Sequence, residues 1–405
     1  MRGSSVVKQV DVLIVGGGLV GASLLCALKA QNFTTLMIDA KPFELKTHHA
    51  FDARTLALSL ASIRILTELD VWPHAEAFAT DIRAIHVSEA GNLGFSYLQD
   101  NHAPLGAVIE IADLYQAIKR TLPQDAILAP ATLVDLNLEK REAQISYQGK
   151  TTRYHAKIIV AADGAYSSVR QMVGLPVNVK DYEQQAVVSV VGLKRAHQHI
   201  AYQRFTQQGT LALLPMQNAR AALIWTGHQQ AQAFSQASDE AALATLQRLF
   251  GYRMGRFVAI GRRVCYPLKQ HSMPETVKDA LVFLGNAAHT MHPVAAQGFN
   301  LSLRDVAMLA ECMVNQGLTP AMLKNYNCLR QQDIKRVEVF TDSLVSIFDS
   351  SLPGMRLGRS LGLLGLETLP VLKPTLIRYA QGLGGRVSNL ICGLPLKSDN
   401  HDETI

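Results

Sequence analysis

Three short stretches carry the residue types and spacings that could do chemistry. The first, VGGGLVG, supplies Gly16-x-Gly18-x-x-Gly21 directly after an apolar run. Gly16 permits a tight turn, Gly18 lets a pyrophosphate approach the backbone, and Gly21 lets a helix pack closely on its strand. A helix starting there offers unpaired N–H groups and partial positive charge to the same anion. Asp39 lies 18 residues past Gly21, where a carboxylate can accept hydrogen bonds from an adenosine ribose and would repel a 2′-phosphate. The loop therefore points to a dinucleotide but does not separate FAD from NAD.

The second stretch, KIIVAADGAYSSVR, sets Asp163-Gly164 after a strand, with Ser167 and Arg170 at fixed offsets. Ser167 and Arg170 are expected to lock the turn rather than to touch a ligand. The third, LVFLGNAAHTMHPVAAQGFNLSLRD, contains Gly285-Asn286, His289-x-x-His292, Pro293, and Gln297-Gly298-Phe299-Asn300 ahead of a helix. Two histidines three apart can hold a metal, but no third ligand stands at a useful spacing, so no metal is expected. His292 reads equally as a substrate contact or as a packed neutral imidazole. The pairs His48-His49 and His197-x-His199 read as solvated loop residues.

These residues need elements to hold them. QVDVLIV, ASLLCALKAQ and TTLMIDA give a strand, a helix and a second strand, a βαβ unit around the glycine loop. Leu56, Leu60, Ile63 and Leu66 predict a helix over 53–69 with Asp52 as its cap and Arg54 near its start. Residues 82–99 alternate as sheet, 111–122 are helical, and 143–160 form a hairpin leading into KIIVAA. From 183 to 268 short strands predominate, with one helix near 238–250. The α/β pattern resumes with ALVFLG, followed by helices over FNLSLRDVAMLAECMV and about 320–348.

The expected fold class is α/β with an α+β insert: a Rossmann-like dinucleotide-binding domain interrupted by an antiparallel-sheet substrate domain, with C-terminal helices. The dinucleotide domain takes 1–81, 100–180 and 270–318. The sheet domain takes 82–99 and 181–269, and the C-terminal helical region takes 319–405.

Composition narrows the class. With 48% hydrophobic and 18% charged residues over 405 positions, the chain is a well-packed globular protein. No apolar run reaches the roughly 18 to 20 residues that span a bilayer, and the N-terminal stretch does not read as a signal peptide. A cytoplasmic protein is expected. A net charge of +6 without Lys/Arg runs argues against nucleic acid. Cys26, Cys265, Cys312, Cys328 and Cys392 contain no Cys-x-x-Cys pair and read as buried free thiols.

Taken together, the three motifs in this order resemble the FAD-dependent aromatic hydroxylases, the single-component flavoprotein monooxygenases of the p-hydroxybenzoate hydroxylase type. DARTLALSLASIRIL, VIEIADLYQAI, GNAAHTMHPVAAQGFNLSLRDV and FTDSLVSIF resemble the ubiquinone-biosynthesis branch over nearly the whole length. Gly285-Asn286 and His292-Pro293 look most like the members acting on 2-polyprenyl-6-methoxyphenol; sister ring hydroxylases usually show Gly-Asp and Asn-Pro there. Asn286 departs from the acidic residue of the broad family, and Ala296 stands where a glycine is common.

The resemblance implies FAD as cofactor and O2 as co-substrate, with oxygen passing from a flavin C4a-hydroperoxide to the ring of a polyprenylated phenol. It implies that Gly16, Gly18, Gly21 and Asp39 hold the adenosine and pyrophosphate end. Asp163, Gly164, Gly285 and Asn286 would follow the pyrophosphate–ribityl portion. Arg54, Pro293, Gln297, Gly298, Phe299 and Asn300 would surround the isoalloxazine, with Arg54, His292 and Pro293 nearest the chemistry. There is no second strand–glycine–helix unit, so the reductant is either NAD(P)H docking transiently or an electron-transfer protein. Rival readings are a sister hydroxylase acting at another ring carbon, a flavin-dependent prenyl reductase, and a scaffold subunit of a ubiquinone-biosynthesis complex.

The tail from Leu352 onward mixes leucines with Arg356, Arg359, Lys373, Arg378 and Arg386 against Glu367. It suits either helices closing the core or a peripheral contact with the inner face of the membrane or with a partner.

Overall fold

The computed structural model describes residues 7–42, 54–92, 94–349, 355–368, 372–385 and 387–396. Asp52, His48, His49 and Arg386 lie outside the described residues, as does the side chain of Arg356.

Strand Lys8–Val15 lies at the centre of the first sheet, paired in parallel with Thr35–Ile38 on one side and Lys150–Ala161 on the other. Leu281–Phe283 extends this parallel set beyond Lys150–Ala161. A continuous run of apolar residues makes sense only if both faces are covered. Val12 and Ile14 enter one core with helix Leu19–Leu28, while Leu13 and Val15 enter a second core on the opposite face. Leu13 and Ile14 are fully buried, each contributing about 1.5–3 kcal/mol over an exposed position.

A second sheet runs in the order Phe257–Ile260, Asn178–Leu193, Arg220–Gly227, Gly209–Met216, Ile200–Thr206, Ala84–Glu89, Phe95–Gln99. Its pairings are antiparallel except that Ile200–Thr206 runs parallel to Ala84–Glu89. It carries two helices where one was expected, Gln229–Gln236 and Asp239–Phe250. The break between them is Ser238, which caps the second helix by accepting from Ala241 N at 3.2 Å.

The helix expected over 53–69 is a strand followed by a shorter helix. Thr55–Ser59 pairs antiparallel with Gly106–Glu110, and the helix spans Leu60–Glu68 with Ser59 as its cap. Leu56 belongs to the strand, so its helical spacing to Leu60 is coincidental. Gly106 is required at this crossing, since a Cβ there would lie 2.0 Å from Leu58 O.

Helices Pro320–Asp349, Met355–Thr368 and Leu372–Ala380 form the C-terminal region. The last two dock on the edge strand Phe95–Gln99: Ser360 Oγ accepts from Gly94 N at 3.0 Å, and Glu367 accepts from Tyr97 N at 3.0 Å. Two residues counted as basic flanks are spent inside the protein. Arg359 pairs with buried Glu89 at 2.7 Å, and Lys373 pairs with Glu367 at 2.6 Å. Among the described residues no single helix is long and apolar enough to cross a membrane. The last two, apolar enough together, meet at 95°.

Two other expectations fail. Cys328 and Cys392 are exposed rather than buried. His197 and His199 are half-buried and bonded to strand carbonyls, His197 Nε2 at 2.8 Å from Met216 O and His199 Nδ1 at 3.2 Å from Asp81 O.

Candidate active site

Because the strands carrying them are parallel, the glycine loop, Asp39, Asp163 and Gly285 all leave the same edge of the first sheet. This is the edge where open α/β sheets bind ligands. Gly16 has φ +109°, donates its N–H to Ile38 O at 2.8 Å, and has no room for a Cβ, which would lie 2.5 Å from Ala162 O. A Cβ on Gly21 would lie 2.0 Å from Gly16 O. At Gly18 no protein atom would lie within 4 Å. The flat surface left there lies at the start of helix Leu19–Leu28, which has no side-chain cap on its first N–H groups. This cradle fits a pyrophosphate.

Asp39 buttresses the loop: Oδ2 accepts from Gly17 N at 2.6 Å and Oδ1 from Lys41 N at 2.7 Å. A carboxylate has lone pairs to spare for ribose hydroxyls beyond these two bonds. Tyr115, which no motif flagged, donates its hydroxyl to Gly17 O at 3.3 Å. Burial, followed by the charge of Asp39, pushes its phenol up to about 12, so it stays a donor.

Asp163 Oδ2 accepts from Ser168 Oγ at 3.0 Å and Val169 N at 3.1 Å. Its Oδ1 is buried with no partner among the described residues, an acceptor suited to a cofactor hydroxyl. Gly164 follows with φ +91°. Ser167 caps the short helix, accepting from Arg170 N at 3.0 Å. Buried Arg170 donates to Ala165 O at 2.8 Å and Ala287 O at 2.7 Å, so it staples the second motif to the third. Gly285 has φ +57°, and Asn286 beside it presents an exposed side chain.

The two histidines diverge. His289 Nε2 lies 2.6 Å from Asp305 Oδ2 in the interior. His292 Nδ1 accepts from Val294 N at 3.2 Å, which leaves Nε2 to carry the proton and donate to Gln184 Oε1 at 3.2 Å. Its ring meets Tyr182 edge-on with centroids 4.8 Å apart. This geometry packs the His292 ring, 3% exposed, against Gln184 and Tyr182.

Arg54 is exposed and precedes a strand, not a helix; its carbonyl accepts from Ile111 N at 2.8 Å. Its charge is felt at Tyr266, partly offsetting the burial that raises that phenol.

Beyond His292, Pro293–Ala295 makes one tight turn and Ala296 takes the left-handed conformation, φ 51° and ψ 31°. The path a glycine would follow is kept, at a cost of about 1–2 kcal/mol. Helix Gly298–Gln316 then begins with no side-chain cap, so the N–H groups of Gly298, Phe299 and Asn300 open its head. The side chains of the last two engage the protein. Phe299 packs into the first core, and Asn300, 3% exposed, makes four hydrogen bonds within the protein.

Between this turn and the second sheet lies a cavity of about 290 Å³. Successive residues of a strand point to opposite faces. Ile85 and Val87, Leu98, Ala201 and Phe205, and Leu214 accordingly form an apolar wall. Pro293, Val294, Ala296 and Gln297 bound the cavity on the side of the third motif. Phe340, Leu363, Leu366 and Leu376 from the C-terminal helices roof it.

With a dinucleotide cradle on one sheet edge and an apolar chamber bounded by Pro293, the chain is an FAD-dependent aromatic-ring monooxygenase of the p-hydroxybenzoate hydroxylase fold. Residues 9–341 match the FAD binding domain family. The chain is 36% identical to ubiquinone hydroxylase UbiL of Rhodospirillum rubrum, covering 96% of this chain and 94% of that one. It is 30% identical to the 3-demethoxyubiquinol 3-hydroxylase of Escherichia coli, covering 93% and 99%. Its backbone matches the crystal structure of p-nitrophenol 4-monooxygenase from Pseudomonas putida with a TM-score of 0.77 at 15% identity, covering 94% and 99%. The chain belongs to the FAD-dependent hydroxylases of ubiquinone biosynthesis.

Proposed function

We propose that this enzyme hydroxylates the ring of a polyprenylated phenol, with 2-polyprenyl-6-methoxyphenol as the substrate. The observation that carries the substrate class is the chamber beside Pro293, walled by aliphatic and aromatic side chains of the kind a prenyl tail packs against. FAD, when bound, supplies the redox and oxygen-transfer chemistry. The protein supplies position and field. Gly16, Gly18, Gly21 and Asp39 hold the adenosine and pyrophosphate end; Asp163, Gly164, Gly285 and Asn286 hold the ribityl portion. Pro293 and Gln297 would flank the ring, and Arg54 would stand near it. The head of helix Gly298–Gln316, which has no side-chain cap, would offer N–H groups and partial positive charge to the negative charge of the reduced ring.

The choice of ring position rests on Asn286 and His292-Pro293. A second reading, hydroxylation at another ring carbon, is favoured by the 30% identity to the 3-hydroxylase of Escherichia coli. Deleting the gene and identifying the accumulated quinone precursor separates them. Accumulation of 2-polyprenyl-6-methoxyphenol supports the first, whereas an intermediate already hydroxylated at that carbon refutes it. Oxygen from 18O2 must appear in the product, which a prenyl reductase would not show.

An amphiphilic substrate of this kind resides in lipid. The Met355–Thr368 helix turns Leu363 and Leu366 toward the cavity while Leu361 is 59% exposed and Leu364 is 38% exposed. Full-length protein is expected to float with anionic liposomes at low salt, and Leu361→Glu with Leu364→Glu to reduce the floated fraction several-fold. Wild-type protein that stays at the bottom of the gradient ends the idea.

A further inference from the structure

The cavity wall formed by the second sheet is apolar at nearly every inward position, and Ser96 and Gln203 are the departures. Strand Ile200–Thr206 pairs on both sides, Gln203 opposite Ala212 and opposite Val87, so its backbone is fixed in the ladder. Its side chain shares the inward face with Ala201 and Phe205 and lines the cavity. Its amide nitrogen is covered by protein and has no hydrogen-bond partner among the described residues. A buried amide left idle costs stability and calls for a partner from outside the protein.

A second idle group along the cavity is the Tyr379 hydroxyl, which belongs to helix Leu372–Ala380 rather than to the sheet wall and lacks a partner among the described residues. Three others are spent. Asn300 makes its four bonds, Ser59 Oγ engages Ser62, and Ser96 Oγ turns to Glu367 at 3.5 Å. Gln297 belongs to the loop on the opposite side, where the cofactor ring is proposed to sit.

We infer that Gln203 is the residue that recognises an oxygen borne on the substrate's aromatic ring, a phenolic hydroxyl in the first instance. This rests on the reading of the cavity as the site of a prenylated phenol. A primary amide suits the task because one group carries both a donor and an acceptor. A half-turn of its terminal torsion presents either end to the cavity. A phenol can donate its proton to Oε1 or accept from Nε2, and a neighbouring ether oxygen can accept. Being neutral, Gln203 does this without placing an unpaired charge among hydrocarbon walls. Anchoring the ring oxygen to the sheet fixes the rotation of the ring about its own axis. That rotation decides which carbon faces Pro293, so Gln203 sets ring position, while the walls that hold the tail set affinity.

The test uses the full-length FAD-loaded enzyme and two probes: a short-chain prenylated 2-methoxyphenol and the same prenylated arene without the phenolic oxygen. Binding is followed by the perturbation of the flavin absorbance. Wild type should prefer the phenol by about tenfold or more, since a site built around a hydroxyl rejects the analogue lacking it. Gln203→Leu, and Gln203→Met as a variant of similar length, should bind both probes with equal affinity and leave the arene within about twofold of wild type. With the phenol they should oxidise reductant with a larger share released as peroxide. Retention of the phenol preference in both variants would overturn the assignment to Gln203 alone. So would equal loss of both probes, which would make Gln203 a wall residue. Wild type binding neither probe would instead overturn the substrate reading, and the role of Gln203 with it.

Discussion

Changing Asn300 to alanine is expected to lower the stability of the flavin-free protein by about 4 kcal/mol or more, and to leave purified protein poor in FAD. The side chain sits where the third motif crosses the strand-to-helix junction at Ser59. Its Oδ1 accepts from Ser59 N at 2.9 Å and Ser62 Oγ at 2.7 Å. Its Nδ2 donates to Ala57 O at 2.9 Å and Ala296 O at 2.8 Å. Removing it strands two donors and two acceptors in a site only 3% exposed, each worth about 1–3 kcal/mol when left unpaired. It also releases the carbonyl of Ala296, whose left-handed conformation persists only because its surroundings hold it. Asn300→Asp should be as harmful despite its matching shape, because an oxygen would then face the carbonyls of Ala57 and Ala296. Chemical denaturation of the apoprotein decides between a clamp and a ligand. A residue that bound only the cofactor would leave apoprotein stability unchanged while weakening FAD, and that result would sink the clamp.

Asn300 also shows where the sequence was informative and where it stopped. Its position in the third motif placed it at the head of a helix, which the fold shows, since Gly298 and the apolar spacing after it are local signals. Which way its amide points depends on Ser59 and Ala57, more than 240 residues earlier. The glycine loop was legible for a related reason: strand, turn and helix are consecutive, and Gly16 and Gly21 are demanded by atoms nearby in the chain or at the sheet edge. Thr55–Ser59 was misread because Leu56 falls in phase with the helix that follows, whereas its state is set by pairing with Gly106–Glu110. Ser59 ahead of LASIRIL was the cap that could have marked the true start. Tyr115 and Gln203 carry no local signature at all. They become functional candidates only when tertiary structure leaves one against the glycine loop and the other idle in a hydrocarbon wall.

The second large effect is expected at Asp305, and it too could be read only from the fold. In the sequence, Arg304-Asp305 interrupts an apolar helix and Arg330 and Asp333 stand three apart on the next one. Folding brings all four together with His289, with side chains at most 6% exposed. Asp305 Oδ2 takes His289 Nε2 at 2.6 Å and Oδ1 takes Arg330 Nε at 2.7 Å; Asp333 bridges Arg330 at 2.7 Å and Arg304 at 3.1 Å. Two guanidiniums thus balance two carboxylates in the interior. Burial alone would raise the Asp305 carboxyl, but Arg330 and then His289 hold it below the usual carboxylate range. Stability from this ionisation is therefore fully present above about pH 4, the ordinary Asp value, and is lost as pH falls through the depressed folded value. Asp305→Ala leaves Arg330 with one carboxylate fewer and should cost about 3–5 kcal/mol, because an uncompensated charge remains buried. It should also loosen FAD, since His289 carries the loop that begins at Gly285. The double change Asp305→Leu with Arg330→Met removes the charge along with its partner and should recover at least half of that loss. A double-mutant cycle from urea denaturation measures the coupling. If the double variant is as unstable as the sum of the two singles, the cluster contributes packing rather than charge compensation.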